Sequence, residues 1–147
     1  MADIAFSHSM PCSLRDSALF EWLRETLRDT DLSPQWPRHL NRVRIPTLRT
    51  GEHFEAEYRM SRISTKLPYV VAEFFPGRGF IYEPAPAHPF RGRIQVSVEA
   101  SLAGSILQWS GVYHTSFWRP ERAFFRYYFE PRFFAHLEDG LRSLDSK

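Results

Sequence analysis

The side chains of this 147-residue chain that titrate nearest neutral pH are its six histidines. A zinc site needs Cys, His or carboxylate ligands that converge at defined spacing. Here there is one cysteine, Cys12, and His8, His39, His53, His88, His114 and His136 are scattered, so no metal site is expected. His114 shares a strand face with Gln108, Ser110 and Ser116 and is expected to be solvated. His8 alternates with Ile4, Phe6 and Met10 on an apolar face. It reads either as a hydrogen-bonded core histidine or as a polar group at a cavity wall, where it could act as acid or base.

The carboxylates form no catalytic pair. Glu55 and Glu57 lie on one exposed strand face, and Glu25 and Asp29 on a solvated helical face. Glu73 alternates with Val71 and Phe75. An inward Glu73 would be a functional candidate, but an outward one near a sheet edge is the expected reading. There is no serine in a nucleophile elbow and no phosphate loop. "PGRGF" has two glycines, leads into a strand and reads as a hairpin turn. Arg91 and Arg93 follow the proline-rich "PAPAHPF", which reads as a cavity gate or as a stiff connection. The two arginines read as an anion subsite at its mouth or as a solvated strand edge. No residue is assigned a catalytic role.

The rings are the stronger signal. Thirteen Phe, six Tyr and four Trp make 16% of the chain, and rings supply large buried area with few rotatable bonds. Strand alternation turns Phe54, Tyr58, Met60, Tyr82, Trp109 and Tyr113 towards one side. A plain core favours Leu, Ile and Val, and tyrosine hydroxyls are costly to bury without partners. An apolar cavity with a few polar groups accommodates such a list. The competing reading is a solid core, in which these rings meet Phe129, Phe133 and Phe134.

The elements that would position these groups follow from periodicity. Residues 3–10 alternate as a half-buried strand, and Pro11 is expected to stop it. Ser13 and Asp16 read as a capping box for a helix with Leu19, Trp22, Leu23 and Leu27 on one stripe, exhausted by residues 31–34. From about Leu40 to Phe117 the period is two. "NRVRIPTL", "EHFEAEYRMS", "YVVAEFF", "RGFIYEP", "RGRIQVSVEA" and "SILQWSGVYHTSF" read as an antiparallel meander with short turns. In the last of these Leu107, Trp109 and Tyr113 face inward. After Arg119-Pro120 a helical stripe of Phe129, Phe133, Leu137, Leu141 and Leu144 returns. Pro131 is expected to kink or split that helix, and Gly140 to permit close packing. The whole chain, 1–147, reads as one α+β domain.

Composition bounds the partners. A chain of 147 residues is ordinary for one domain and buries roughly two-thirds of its unfolded surface, enough to fold without a disulfide or metal. The net charge of +2 lacks any Lys/Arg block, so no nucleic-acid partner is expected. No stretch approaches the roughly 18 apolar residues of a membrane helix, and the first residues are unlike a signal peptide. Together with the single cysteine this gives a cytoplasmic expectation. No cofactor is expected, and oligomeric state is not legible.

Three segments carry a resemblance. "DIAFSHSMPCSLRDSALFEWL" is similar to the opening strand and helix entry of the START-like (SRPBCC) superfamily. "SILQWSGVYHTSF" resembles its last strand, with a hydrophobic-x-Trp signature, and "FFAHLEDGLRSL" its helix end. The superfamily includes polyketide cyclases, lipid-transfer domains and birch-pollen-type allergens. The resemblance implies the helix-grip fold: a curved antiparallel sheet of six to seven strands wrapped round a long C-terminal helix, with a cavity between them. The proline-rich "SPQWPRHLNRVRIP" departs from it by abbreviating the second short helix. The implied function is binding or transport of a hydrophobic small molecule, lipidic or aromatic, lined by His8, Phe54, Tyr58, Met60, Tyr82, Trp109, Tyr113, Phe129 and Phe133. The alternatives are a polyketide cyclase/aromatase that uses Tyr and His groups in the same cavity, and a protein-interaction module with a vestigial one.

Overall fold

The computed structural model describes residues 2–28, 42–60, 63–115 and 130–145. In chain order these form β1 (Ala2–Cys12), α1 (Asp16–Arg28), β2 (Arg42–Arg44), β3 (His53–Met60), β4 (Ile63–Phe75), β5 (Gly79–Pro84), β6 (Arg91–Ser101), β7 (Gly104–Thr115) and α2 (Glu130–Asp145). Among the described residues the strands make one seven-stranded sheet in the order β1-β7-β6-β5-β4-β3-β2. All pairings are antiparallel. The sheet is a meander from β2 to β7 because each link is short, and it closes with the N-terminal strand laid against the last one. No helix among the described residues is long and apolar enough to cross a membrane.

The alternation seen in the sequence is the alternation of the sheet. Ile94, Val96 and Val98 of β6 are buried while Arg93, Gln95 and Glu99 are exposed. In β7 Leu107, Trp109, Tyr113 and Thr115 are buried and Gln108, Ser110 and His114 are more open. The buried face packs on α2 through Phe133, Phe134, Leu137 and Leu141, and on α1 through Leu19, Phe20, Leu23 and Leu27. Gly140 is buried within α2.

Prolines explain most departures from expectation. Pro11 does not stop β1, which runs on to Cys12 with Pro11 opposite Ile106. β1 is a sheet edge, where one side of the strand makes no ladder and a proline is tolerated. β4 begins before the expected "YVVAEFF" and contains Pro68, opposite Glu55. The Pro68 carbonyl accepts from the Ala85 N–H at 3.0 Å, so its missing donor faces the side where β5 has already ended. α2 begins at Glu130, so Pro131 lies in its first turn, where a proline needs no donor, and the expected split of the stripe before it falls outside the described residues. The helix expected from Arg119-Pro120 through Phe129, and any short second helix after residue 31, lie outside the described residues.

Two further corrections are local. α1 opens at Asp16, not at Ser13, with the Leu19 N–H bonded to the Arg15 carbonyl at 2.9 Å. The pairing of β4 with β5 slips between Val71 and Glu73. This bulge moves Phe74 to the packed side and leaves Glu73 and Phe75 outside. "PG" forms the expected turn, with Gly77 at φ 74° and the Arg78 N–H bonded to the Phe75 carbonyl at 3.0 Å.

Candidate functional site

Five of the nine residues singled out in the sequence meet on the buried face of the sheet. Phe54 of β3 is edge-on to Tyr82 of β5, with ring centroids 5.3 Å apart. Tyr82 is edge-on to Trp109 of β7 at 6.2 Å, and Trp109 to Phe133 of α2 at 5.1 Å. Tyr113, four residues along β7 from Trp109, lies on the same face and is 1% exposed. His8 is half-buried at the margin, where its ring stacks on Phe134 at 3.7 Å. The side chains of Tyr58 and Met60, and all of Phe129, lie outside the described residues.

Sequence reasoning passed over three members. Tyr69 of β4 stacks on Phe54 at 5.4 Å and shares a hydrogen bond with the Tyr113 hydroxyl at 3.1 Å. Its i,i+2 relation to the buried Val71 was the available signal. His88 is 2% exposed and lies in the loop between β5 and β6. Its ring is edge-on to Tyr69 at 4.8 Å and stacked on Tyr113 at 6.1 Å. Phe90 completes the cluster, 5.6 Å from Tyr113. No periodicity in a loop announces a buried histidine, so "PAPAHPF" reads as a cavity gate or a stiff connection with no sign of one.

That loop is built by its own sequence. Pro86 presets a turn in which the His88 N–H bonds to the Ala85 carbonyl at 2.9 Å. The Phe90 N–H then donates to His88 Nδ1 at 2.9 Å. The Arg91 guanidinium donates to the carbonyls of His88, Phe90 and Pro86 at 2.9, 2.8 and 3.0 Å. Arg91 is therefore a clamp on the loop, not an anion subsite. Arg93 is likewise engaged, with Glu83 at 2.7 Å and Glu73 at 3.2 Å on the solvated face. His114 also lies on that face and meets Asp3 at 2.7 Å.

The electrostatics favour neutral groups. Burial, together with the neighbouring Arg91 charge, pulls the His88 imidazole down to about 4. Because Nδ1 accepts from Phe90, the proton of the neutral ring is on Nε2. Burial, reinforced by Tyr69, raises the Tyr82 phenol far above its ordinary value of 10, and hydrogen bonds with Trp109 and Tyr113 oppose this only in part. The Trp109 indole N–H donates to the Tyr82 hydroxyl at 3.0 Å. The face thus offers hydroxyl and imidazole donors, and burial keeps Tyr82 and His88 neutral. No cluster of His, Cys, Asp and Glu among the described residues could hold a metal ion.

No family model matches the sequence, and no curated protein matches it. Solved structures do resemble its fold. Ara h 8.0201 is 14% identical, with a TM-score of 0.64 over 97% of this chain and 99% of its own. The di-domain aromatase/cyclase StfQ from the steffimycin biosynthetic pathway is 14% identical, with a TM-score of 0.58 over 98% of this chain and 46% of its own. A point mutant of norcoclaurine synthase from Thalictrum, in complex with a transition-state analogue, is 12% identical, with a TM-score of 0.59 over 97% of this chain and 94% of its own. The curved antiparallel sheet and C-terminal helix of this chain are thus the helix-grip fold of the START-like (SRPBCC) proteins, which is the fold the sequence resemblance implied.

Proposed function

We propose that the chain binds a hydrophobic small molecule, aromatic or lipidic, between the buried sheet face and the C-terminal helix. His8, Phe54, Tyr58, Met60, Tyr82, Trp109, Tyr113, Phe129 and Phe133 are the proposed lining, with Tyr69 and His88 added. Residues 1–147 act as one cytoplasmic binding domain in this reading. The observation that carries it is the linked polar set inside the ring layer: Trp109 to Tyr82, and Tyr69 to Tyr113. A core with no ligand to recognise gains little from three tyrosine hydroxyls, since each must be satisfied at a desolvation cost. A binding site gains orientation from them. The norcoclaurine synthase neighbour, which holds a transition-state analogue, supports the use of this fold for small organic molecules.

The cyclase/aromatase reading draws support from the StfQ neighbour, but the described residues favour binding over proton transfer. Aldol cyclisation needs a group that takes a proton. The His88 ring nitrogens are committed, one to the Phe90 N–H and the other to its own proton, and the buried Tyr82 phenol resists ionisation. Native mass spectrometry of the chain purified from its source tests the proposal. A retained small molecule that leaves on denaturation is expected. A bare chain that also fails to take up the neutral fluorescent probe N-phenyl-1-naphthylamine refutes it and favours an interaction module. A retained polyketide that emerges cyclised would move the reading to the enzyme.

A further inference from the structure

Two buried side-chain polar atoms have no hydrogen-bond partner among the described residues: His88 Nε2 and Thr115 Oγ1. Both belong to one end of the buried face. Arg91 lies opposite His114, so the two neighbouring residues, Phe90 and Thr115, flank the same end of the β6–β7 ladder. The His88 ring is 5.3 Å from that of Phe90 and stacks on Tyr113, two residues from Thr115. The two residues are 2% and 4% exposed, so water does not reach them freely. An orphaned buried donor is a cost that folded chains avoid unless something else fills it.

We infer that His88 Nε2–H, assisted by the Thr115 hydroxyl, is the polar pole of the binding site and takes the carbonyl oxygen of a neutral, otherwise apolar ligand such as an aryl ketone or quinone. The inference rests on the binding role proposed above and adds the ligand's chemistry to it. The tautomer is set by the Phe90 N–H on Nδ1, so Nε2 can only donate. The ligand atom opposite it must therefore be an acceptor. A carboxylate is disfavoured, because an anion set among the rings of Tyr69, Phe90 and Tyr113 carries a desolvation cost that one imidazole N–H does not offset, while the nearby guanidinium already holds three loop carbonyls. A neutral carbonyl needs only the donor that is present. The clamped loop holds that donor in place before the ligand arrives, which limits the ordering cost of binding.

The test compares 9-fluorenone with fluorene, one tricyclic skeleton with and without a carbonyl. Dissociation constants for the intact chain are measured by tryptophan quenching and equilibrium dialysis. Wild type is expected to prefer fluorenone by about tenfold, the worth of one recovered buried hydrogen bond. His88→Phe should lower that ratio to about one, and Thr115→Val should lower it part of the way. Equal binding of the two probes by wild type, or a preference that survives His88→Phe, overturns the inference and leaves the binding role standing. Failure of wild type to bind either probe counts against both. The carbonyl stretch of bound fluorenone in wild type gives a reading that needs no variant. A shift to lower frequency than in hydrocarbon solvent is expected, and an unshifted band overturns the inference.

Discussion

Acidification to pH 5 should weaken this protein through one side chain. A proton added to His88 must enter a site walled by the rings of Tyr69, Phe90 and Tyr113, beside the Arg91 guanidinium. The unfolded imidazole titrates near its ordinary 6.5 and the folded one near about 4. The unfolded state therefore binds more protons between those values, and stability falls as pH drops. The contribution is complete above pH 6.5, declines through the window, and is lost by pH 4. Between pH 7.5 and pH 5 the shift is worth about 2 kcal/mol, and over the full window about 3 kcal/mol. Most carboxylates stay ionised at pH 5, so the effect should stand clear of general acid unfolding. Urea denaturation followed by tryptophan fluorescence measures it, against His88→Asn as a reference without a titrating group. The Asn carbonyl can still accept the Phe90 N–H. Wild type should lose about 2 kcal/mol more than the variant, a shift of about 1 M in the difference of midpoints. Curves parallel within about 0.5 kcal/mol would show that His88 titrates as a solvated histidine, and the buried-donor account would fail with it.

Four substitutions probe the rest of the site and its frame. Tyr82→Phe leaves the Trp109 indole N–H without its 3.0 Å partner and should cost about 2 kcal/mol, visible in the denaturation midpoint and in a shifted tryptophan emission. Gly92→Ala would drive a Cβ into the Val112 carbonyl oxygen, whereas Gly77→Ala meets nothing within 4 Å. The first should cost more than about 3 kcal/mol or prevent folding, and the second about 1 kcal/mol from its left-handed φ alone, with thermal melts separating the two. Glu73→Gln should change stability by less than about 0.5 kcal/mol, because its pair with Arg93 is half exposed, and a larger loss would place Glu73 inside.

Most of the fold was legible because strands advertise their two faces. Phe54, Tyr82, Trp109 and Tyr113 were found from period-two alternation alone, and each is buried. Alternation fails where the backbone departs from it. The slip between Val71 and Glu73 inverts the phase of β4, so Glu73 looked ambiguous and Phe74 was missed. Pro11 reads as a stop because a sequence does not say which strand will be a sheet edge. His88 was illegible for a different reason. Its burial depends on three hydrogen bonds from Arg91 and a turn begun by Pro86, all within seven residues but with no repeating period.

The chemistry of the site follows from which protons are already spoken for. Trp109 gives its proton to Tyr82, and Tyr69 and Tyr113 share one between them. His88 accepts at Nδ1 and keeps a proton at Nε2. Among these groups a base would have to be made by breaking a hydrogen bond or by ionising a buried phenol, and both cost free energy inside a layer of rings. A donor needs neither. The arrangement is therefore better suited to holding an oxygen than to removing a hydrogen, and its one uncommitted imidazole proton lies on the residue that strand periodicity could not reveal. If a bound molecule proves to lack any acceptor oxygen, that ordering of donor over base loses its support, while the apolar layer that surrounds it would remain the proposed binding surface.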